Sequence, residues 1–230
     1  MNDASSDPGH DASGHRARLR ARLIAGDTEA LLDHEIVEYL FMLAIPRVDT
    51  KPMARRLLKE FGSFAALMSA ASESLKRAGA TEAMIGALRI ADVAALRLLH
   101  TRIEGARILS DWQALADYLH ADMAHRPIER VRVLHLNSKN MLIRDELVSE
   151  GSVDQAAVYV REVIRRALEL GSTAIILVHN HPSGDPEPSR QDIAITRDII
   201  AAGKPLGISV HDHIIVGTKG QKSLRGLGLI

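Results

Sequence analysis

Near Pro127 the period of the apolar residues changes, and this constrains the fold more than any other feature of the 230-residue chain. Between Arg16 and His125, apolar side chains recur three and four positions apart in EIVEYLFMLA, MARRLLKEFG, EAMIGALRIADVAALRLL and WQALADYLHADM. That spacing lines one face of an α-helix, and no alternating β-branched run interrupts it. Asp33 and Asp49–Thr50 read as helix starts, Pro52 as an early helical position, and Gly62 and Gly79 as helix ends. After Pro127 the pattern becomes RVRVLHLNSKN and MLIRDELVSEGSV, two strands with a turn at residues 138–140. A helix over Asp154 to Leu170 follows, stopped by Gly171. Then come the buried strand TAIILVHNH, a loop, a helix over Arg190 to Ala202, the strand ISVHDHIIVG and a further candidate strand at KSLRGLG.

The expected organisation is therefore a small all-α domain at residues 16–125 and a mixed α/β domain, a sheet flanked by helices, at 126–230. Residues 1–15 are mostly Asp, Ser, Gly and His with little to bury, and read as a disordered tail. The chain has no signal-like apolar core at its start and no stretch approaching a membrane span, so a cytoplasmic protein is expected.

Composition narrows the chemistry. There is no cysteine, so any metal must be held by imidazoles and carboxylates. Lys and Arg balance Asp and Glu at 29 each, which excludes the strongly basic surface of a general nucleic-acid binder and leaves only local contacts.

The stretch HNHPSGDPEPSRQD, His179 to Asp192, concentrates such groups. Side chains at i and i+2 of a strand share a face, so His179 and His181 can aim two imidazoles at one point. The Pro- and Gly-rich PSGDPEP must turn the chain back, and Ser189 with Asp192 has the S-x-x-D spacing of a capping box at a helix start. An Asp in that first turn, facing the strand end, supplies a third ligand. Three protein ligands and one open position make a catalytic zinc site, which also needs a general base from elsewhere in the domain. His211, Asp212 and His213 form a second candidate cluster, against the plainer reading of a hydrogen-bonded pair of strand histidines.

H-N-H, seven residues, Ser, two residues and Asp is similar to the JAMM (MPN+) metalloprotease motif, H-x-H-x7-S-x2-D with a distant upstream Glu. Within it, HNHPSGDPEPS resembles the RadC family, as do RDELVSEGSVDQAAVYVREVIRRALELGSTAIILVHNHPSG and GISVHDHIIVG. The resemblance implies an MPN/JAMM-like α/β fold and a zinc hydrolase of the peptidase or isopeptidase type, with one Zn2+ per chain and an unknown peptide or protein substrate. His179, His181 and Asp192 would bind the metal, Ser189 would hydrogen-bond the tetrahedral intermediate, and a Glu would activate the metal-bound water. Glu129, just before an apolar strand, is similar to that Glu, with Glu146, Glu150 and Glu162 as rivals. His213 would line the pocket behind the ligands.

AIPRVDTKPMARRLLKEFGSFAALMSA resembles the degenerate helix-hairpin-helix region that precedes the catalytic domain in this family. Such units bind DNA phosphates through hairpin N–H groups and nearby basic side chains. Here Arg47, Lys51, Arg55, Arg56 and Lys59, against Asp49 and Glu60, form a local basic patch, although such a run is ordinarily a solvated helix face. The alternative function is accordingly a DNA-associated protein, related to repair or recombination, with a structural metal. A ligand-free scaffold is disfavoured by the four motif residues standing together.

Overall fold

The computed structural model describes residues 8–26, 29, 31–108, 111–151 and 158–230. Among them are nine α-helices and five strands: α1 (Pro8–Ile24), α2 (Asp33–Ala44), α3 (Lys51–Phe61), α4 (Phe64–Ser69), α5 (Ser72–Arg77), α6 (Glu82–Thr101), α7 (Trp112–Met123), β1 (Arg130–Leu136), β2 (Leu142–Glu150), α8 (Val160–Glu169), β3 (Ala174–Asn180), α9 (Arg190–Gly203), β4 (Ser209–Gly217) and β5 (Gly220–Ser223). The chain forms two compact units divided between Val93 and Ala94, within α6.

The first unit is helical, as the 3.6-residue period requires. Its core joins Val37 and Phe41 of α2, Ala54 and Leu57 of α3, Leu67, Leu75, and Met84 and Leu88 of α6. Gly62 and Gly79 end α3 and the α5 turn with φ of 83° and 85°, a region that L side chains with a Cβ enter at a cost. A Cβ on Gly79 would also lie 2.7 Å from the Arg56 guanidinium, which itself donates to the carbonyl of Ala78 at 2.8 Å. Arg56 of the basic patch thus closes the end of α5. Arg55 lies 3.4 Å from His34, and Arg47 takes a φ of 68° in the α2–α3 turn.

The second unit is a five-stranded mixed sheet in the order β2-β1-β3-β4-β5. β1 pairs antiparallel with both β2 and β3, β3 runs parallel to β4, and β5 returns antiparallel. Strand alternation divides β3 between two cores. Ala174, Ile176 and Val178 pack with Leu115, Leu119 and Met123 of α7. Ile175 and Leu177 face Val163, Ile164 and Ala167 of α8 and Ile199 of α9. Burial on both faces explains why β3 reads as an uninterrupted apolar run.

Several boundaries differ from the sequence expectation. The sheet unit begins well before residue 126, because the amphipathic face of α7 covers the sheet; periodicity identifies that helix without saying which core receives it. Of the expected 1–15 tail, Pro8 to His15 lie within α1, and residues 1–7 are outside the described residues. Of the expected helix from Asp154 to Leu170, residues 154–157 lie outside the described residues, and α8 runs from Val160 to Glu169. Of KSLRGLG, only Lys222 and Ser223 belong to a strand, β5. Among the described residues, no helix is long and apolar enough to cross a membrane.

Candidate metal centre

His179 lies in β3 and His181 just past its end, both on the face toward α9. PSGDPEP turns back by packing its backbone on the end of β4. The His181 N–H donates to the carbonyl of Val216 at 2.9 Å, and the N–H groups of Gly184 and Lys219 close the turn. A Cβ on Gly217 would collide with the carbonyl of Gly184, so only a glycine allows this approach. The chain then enters α9 through the expected capping box: the Asp192 N–H donates to Ser189 Oγ at 3.1 Å, and the Ser189 N–H donates to Asp192 Oδ2 at 2.7 Å.

These elements bring His179, His181 and Asp192 together, with one ligand atom from each within 4.8 Å of the others. The Nε2 atoms of the two histidines are 3.0 Å apart, and Asp192 oxygens lie 3.3 Å from His179 Nε2 and 3.6 Å from His181 Nε2. Capping and metal-ligand geometry coexist in Asp192, because Oδ2 serves the Ser189 N–H while Oδ1 faces His179.

Hydrogen bonds behind the cluster select the ring tautomers. The Thr196 hydroxyl donates to the Asp192 carbonyl, so its oxygen accepts from His213 Nδ1, 2.6 Å away. His213 Nε2 is then an acceptor and takes the proton of His179 Nδ1 at 2.8 Å. His179 Nε2 is left as a bare lone pair directed at the cluster. On His181, Nδ1 donates to the carbonyl of Asp185 at 2.8 Å, which turns Nε2 inward. Both imidazoles therefore offer the nitrogen that a metal ligand must present, each fixed by a bond on its far side.

Electrostatics point the same way. Burial pushes His179 down to about 4 and His213 down to about 3, so both are neutral near pH 7. Burial also pushes the Asp192 carboxyl upward, but its bond with His181, His179 beside it and the Ser189 contacts outweigh this and hold it below the ordinary carboxylate range. His181 is raised, chiefly by its bond to Asp192. A carboxylate and two inward nitrogens make a trap for a cation, either a proton on His181 or a metal ion. The donor set of two nitrogens and one oxygen suits zinc and leaves a coordination position open.

The cluster opens into a cleft of about 690 Å3 with an apolar wall of Val131, Val158, Leu177, Ile195 and Ile199. Glu129 and Ser189 line it as well. The antiparallel register pairs Val131 with His179; extended two residues outward it sets Glu129 opposite His181, whose affinity for a proton the Glu129 charge raises. The rival carboxylates lie elsewhere. Glu146 takes two bonds from Arg166 Nε at 3.0 and 2.8 Å beside a different cavity, Glu150 pairs with Arg130 at 3.2 Å, and Glu162 pairs with Arg165 at 3.0 Å.

The second candidate cluster does not assemble. Both ring nitrogens of His213 are engaged with His179 and Thr196, and His211 Nε2 donates to Asn140 Oδ1 at 2.7 Å. Asp212 accepts from the N–H groups of His213 and Arg225 and from the Ser223 hydroxyl, tying down the C-terminal turn. Sequence reasoning missed Thr196 and Asn180. The only signal for Thr196 is its place one helical turn after Asp192, which many threonines share.

A mixed sheet carrying His-x-His at the end of a central strand, with the Asp of the next helix closing on it, defines a JAB/MPN-type domain with a candidate metal site. Residues 109–229 match the family model described as the RadC-like JAB domain. The chain is 49% identical over 213 residues to a UPF0758 protein of Rhodobacter capsulatus, covering 92% of this chain and 100% of the relative. It is 46% identical over 217 residues to a UPF0758 protein of Ruegeria pomeroyi, covering 94% and 97% respectively. The chain belongs to the RadC-like JAB domain family.

Proposed function

We propose that this protein is a zinc-dependent hydrolase of the JAMM type that cleaves peptide or isopeptide bonds. The observation that carries the reading is the placement of Glu129 opposite His181, at the mouth of a cluster whose two imidazoles are both held with Nε2 inward. His179, His181 and Asp192 would hold the ion. When bound, zinc supplies Lewis acidity and lowers the pKa of a water in the cleft. The Glu129 carboxylate is the acceptor for that water's proton as the water oxygen adds to the substrate carbonyl. The same proton is then delivered to the departing amine nitrogen as the C–N bond breaks. The Ser189 hydroxyl, whose oxygen already accepts from the Asp192 N–H, keeps its own proton free to donate to the carbonyl oxygen as charge develops there. The apolar wall seats substrate side chains and keeps water away from the reacting bond.

The test is metal content and peptide cleavage in four proteins. The unaltered chain is expected to carry zinc near one per chain and to cleave members of a peptide library. His179→Ala and Asp192→Ala are expected to lose both metal and cleavage. Glu129→Ala is expected to keep zinc and lose cleavage. Metal-free protein purified without chelators would sink the metal site, and full cleavage by Glu129→Ala would sink the proton-acceptor role.

A further inference from the structure

Strand alternation that turns His179 and His181 toward α9 turns Asn180, between them, to the opposite face, where it is fully buried. Its amide is fully used there. Oδ1 accepts from the Arg130 N–H at 2.8 Å, and Nδ2 donates to the carbonyls of Ile128 at 3.2 Å and Arg126 at 3.4 Å. The two carbonyls belong to the segment between α7 and β1, which no strand pairing holds before Arg130, and the N–H is that of the first residue of β1. The bonds to Ile128 and Arg130 bracket Glu129 on both sides. The Glu129 carbonyl is held from the other direction by the Gly151 N–H at 3.0 Å. One side chain thus ties the backbone that carries Glu129 directly to the strand that carries the histidines.

We propose that Asn180 is a positioning residue that fixes Glu129 relative to His179 and His181, an inference that rests on Glu129 being the proton acceptor of the site. Glu129 lies two residues beyond Val131, the last β1 residue paired with β3, and a misplacement of about 1 Å is enough to cost on the order of 100-fold in rate. Asparagine suits the task because it offers a donor and an acceptor on one short planar group, matching a carbonyl and an N–H two residues apart.

The experiment uses the full chain loaded with Co2+ and titrated with acetohydroxamic acid, followed by visible absorption. A hydroxamic acid gives up its proton on binding a metal, and Glu129 is the acceptor beside it. Glu129→Gln is expected to weaken hydroxamate binding about tenfold, the scale of one hydrogen bond to a charged group. Asn180→Ala should weaken it by a similar factor, and the double variant should be no weaker than Glu129→Gln alone, since the two act as one unit. Asn180→Thr, which suits a strand and whose hydroxyl is one bond shorter than the amide, should match Asn180→Ala and serves if that variant does not fold. All variants should retain one Co2+ per chain. Wild-type hydroxamate affinity in both Asn180 variants, full additivity in the double variant, or loss of Co2+ on changing Asn180 would each overturn the inference while leaving Glu129 in place. Wild-type affinity in Glu129→Gln would overturn the reading of Glu129 and the inference with it.

Discussion

His213 Nε2 stands 2.8 Å from Nδ1 of His179, and this bond determines which nitrogen of His179 faces Asp192. It is itself oriented by Thr196, whose hydroxyl sits between His213 Nδ1 and the first-turn carbonyl of α9. The chain Thr196–His213–His179 therefore couples the helix that carries Asp192 to the strand that carries the histidines.

Thr196→Val keeps the side-chain shape and removes the acceptor that holds the His213 proton at Nδ1. Metal affinity is expected to fall on the order of tenfold, within the range found when partners behind metal-bound histidines are removed. Competition with a chromophoric chelator measures it. Unchanged affinity would show that the tautomer is set without Thr196.

Metal binding should weaken as pH falls. The bond with Asp192 raises His181 above its ordinary value of 6.5, so a proton on His181 already competes with the ion above pH 6.5 and does so fully below it. Isothermal titration in buffers of different ionisation heat should show protons released on binding near that pH. Binding without proton release and with a flat pH dependence would contradict the arrangement.

The metal-free sheet unit is expected to lose stability between about pH 6.5 and pH 4. Burial pushes His135 and His179 down to about 4 and His213 down to about 3, from 6.5 in each case. The unfolded chain therefore binds more protons in this window, and stability that is fully present above pH 6.5 drains away as pH drops toward the folded-state values. His179 and His213 share a hydrogen bond and protonate as a pair rather than independently. Urea unfolding of chelator-treated protein at pH 7 and pH 5 measures the sum, and equal midpoints would refute it.

Arg47 occupies the α2–α3 turn with a φ of 68°, where a side chain with a Cβ is disfavoured. Arg47→Gly should stabilise the helical unit by about 1 kcal/mol, read as a higher denaturant midpoint with an unchanged slope. Gly79→Ala should act in the opposite sense, since its φ of 85° strains a residue with a Cβ and the Arg56 guanidinium would have to shift from the Ala78 carbonyl to make room.

Much of this architecture was legible in the residues. The change of apolar period at Pro127 separated helices from strands, Gly62, Gly79 and Gly171 marked ends that take positive φ, and S-x-x-D gave the α9 cap. Less visible was the core that each amphipathic helix serves. The apolar stripe of α7 would suit either unit, and only packing assigns it to the sheet.

For the site, the sequence by itself determined the candidate ligand types and their local spacing: two histidines sharing a strand face and an aspartate in the first turn of the following helix. These are consequences of strand alternation and helix capping, which act over a few residues. Tertiary structure alone decided which carboxylate faces the cluster and which nitrogens it presents. Glu129 stands opposite His181 only through the β1–β3 register, and His213 reaches His179 only because β4 carries an extra residue between the partners of Ile175 and Ile176. That bulge exchanges the faces of β4, so Val210 before it and His213 after it point to the same side. Register and bulges arise from pairing between segments distant in the chain, and no local pattern in one strand encodes the choice of its partner.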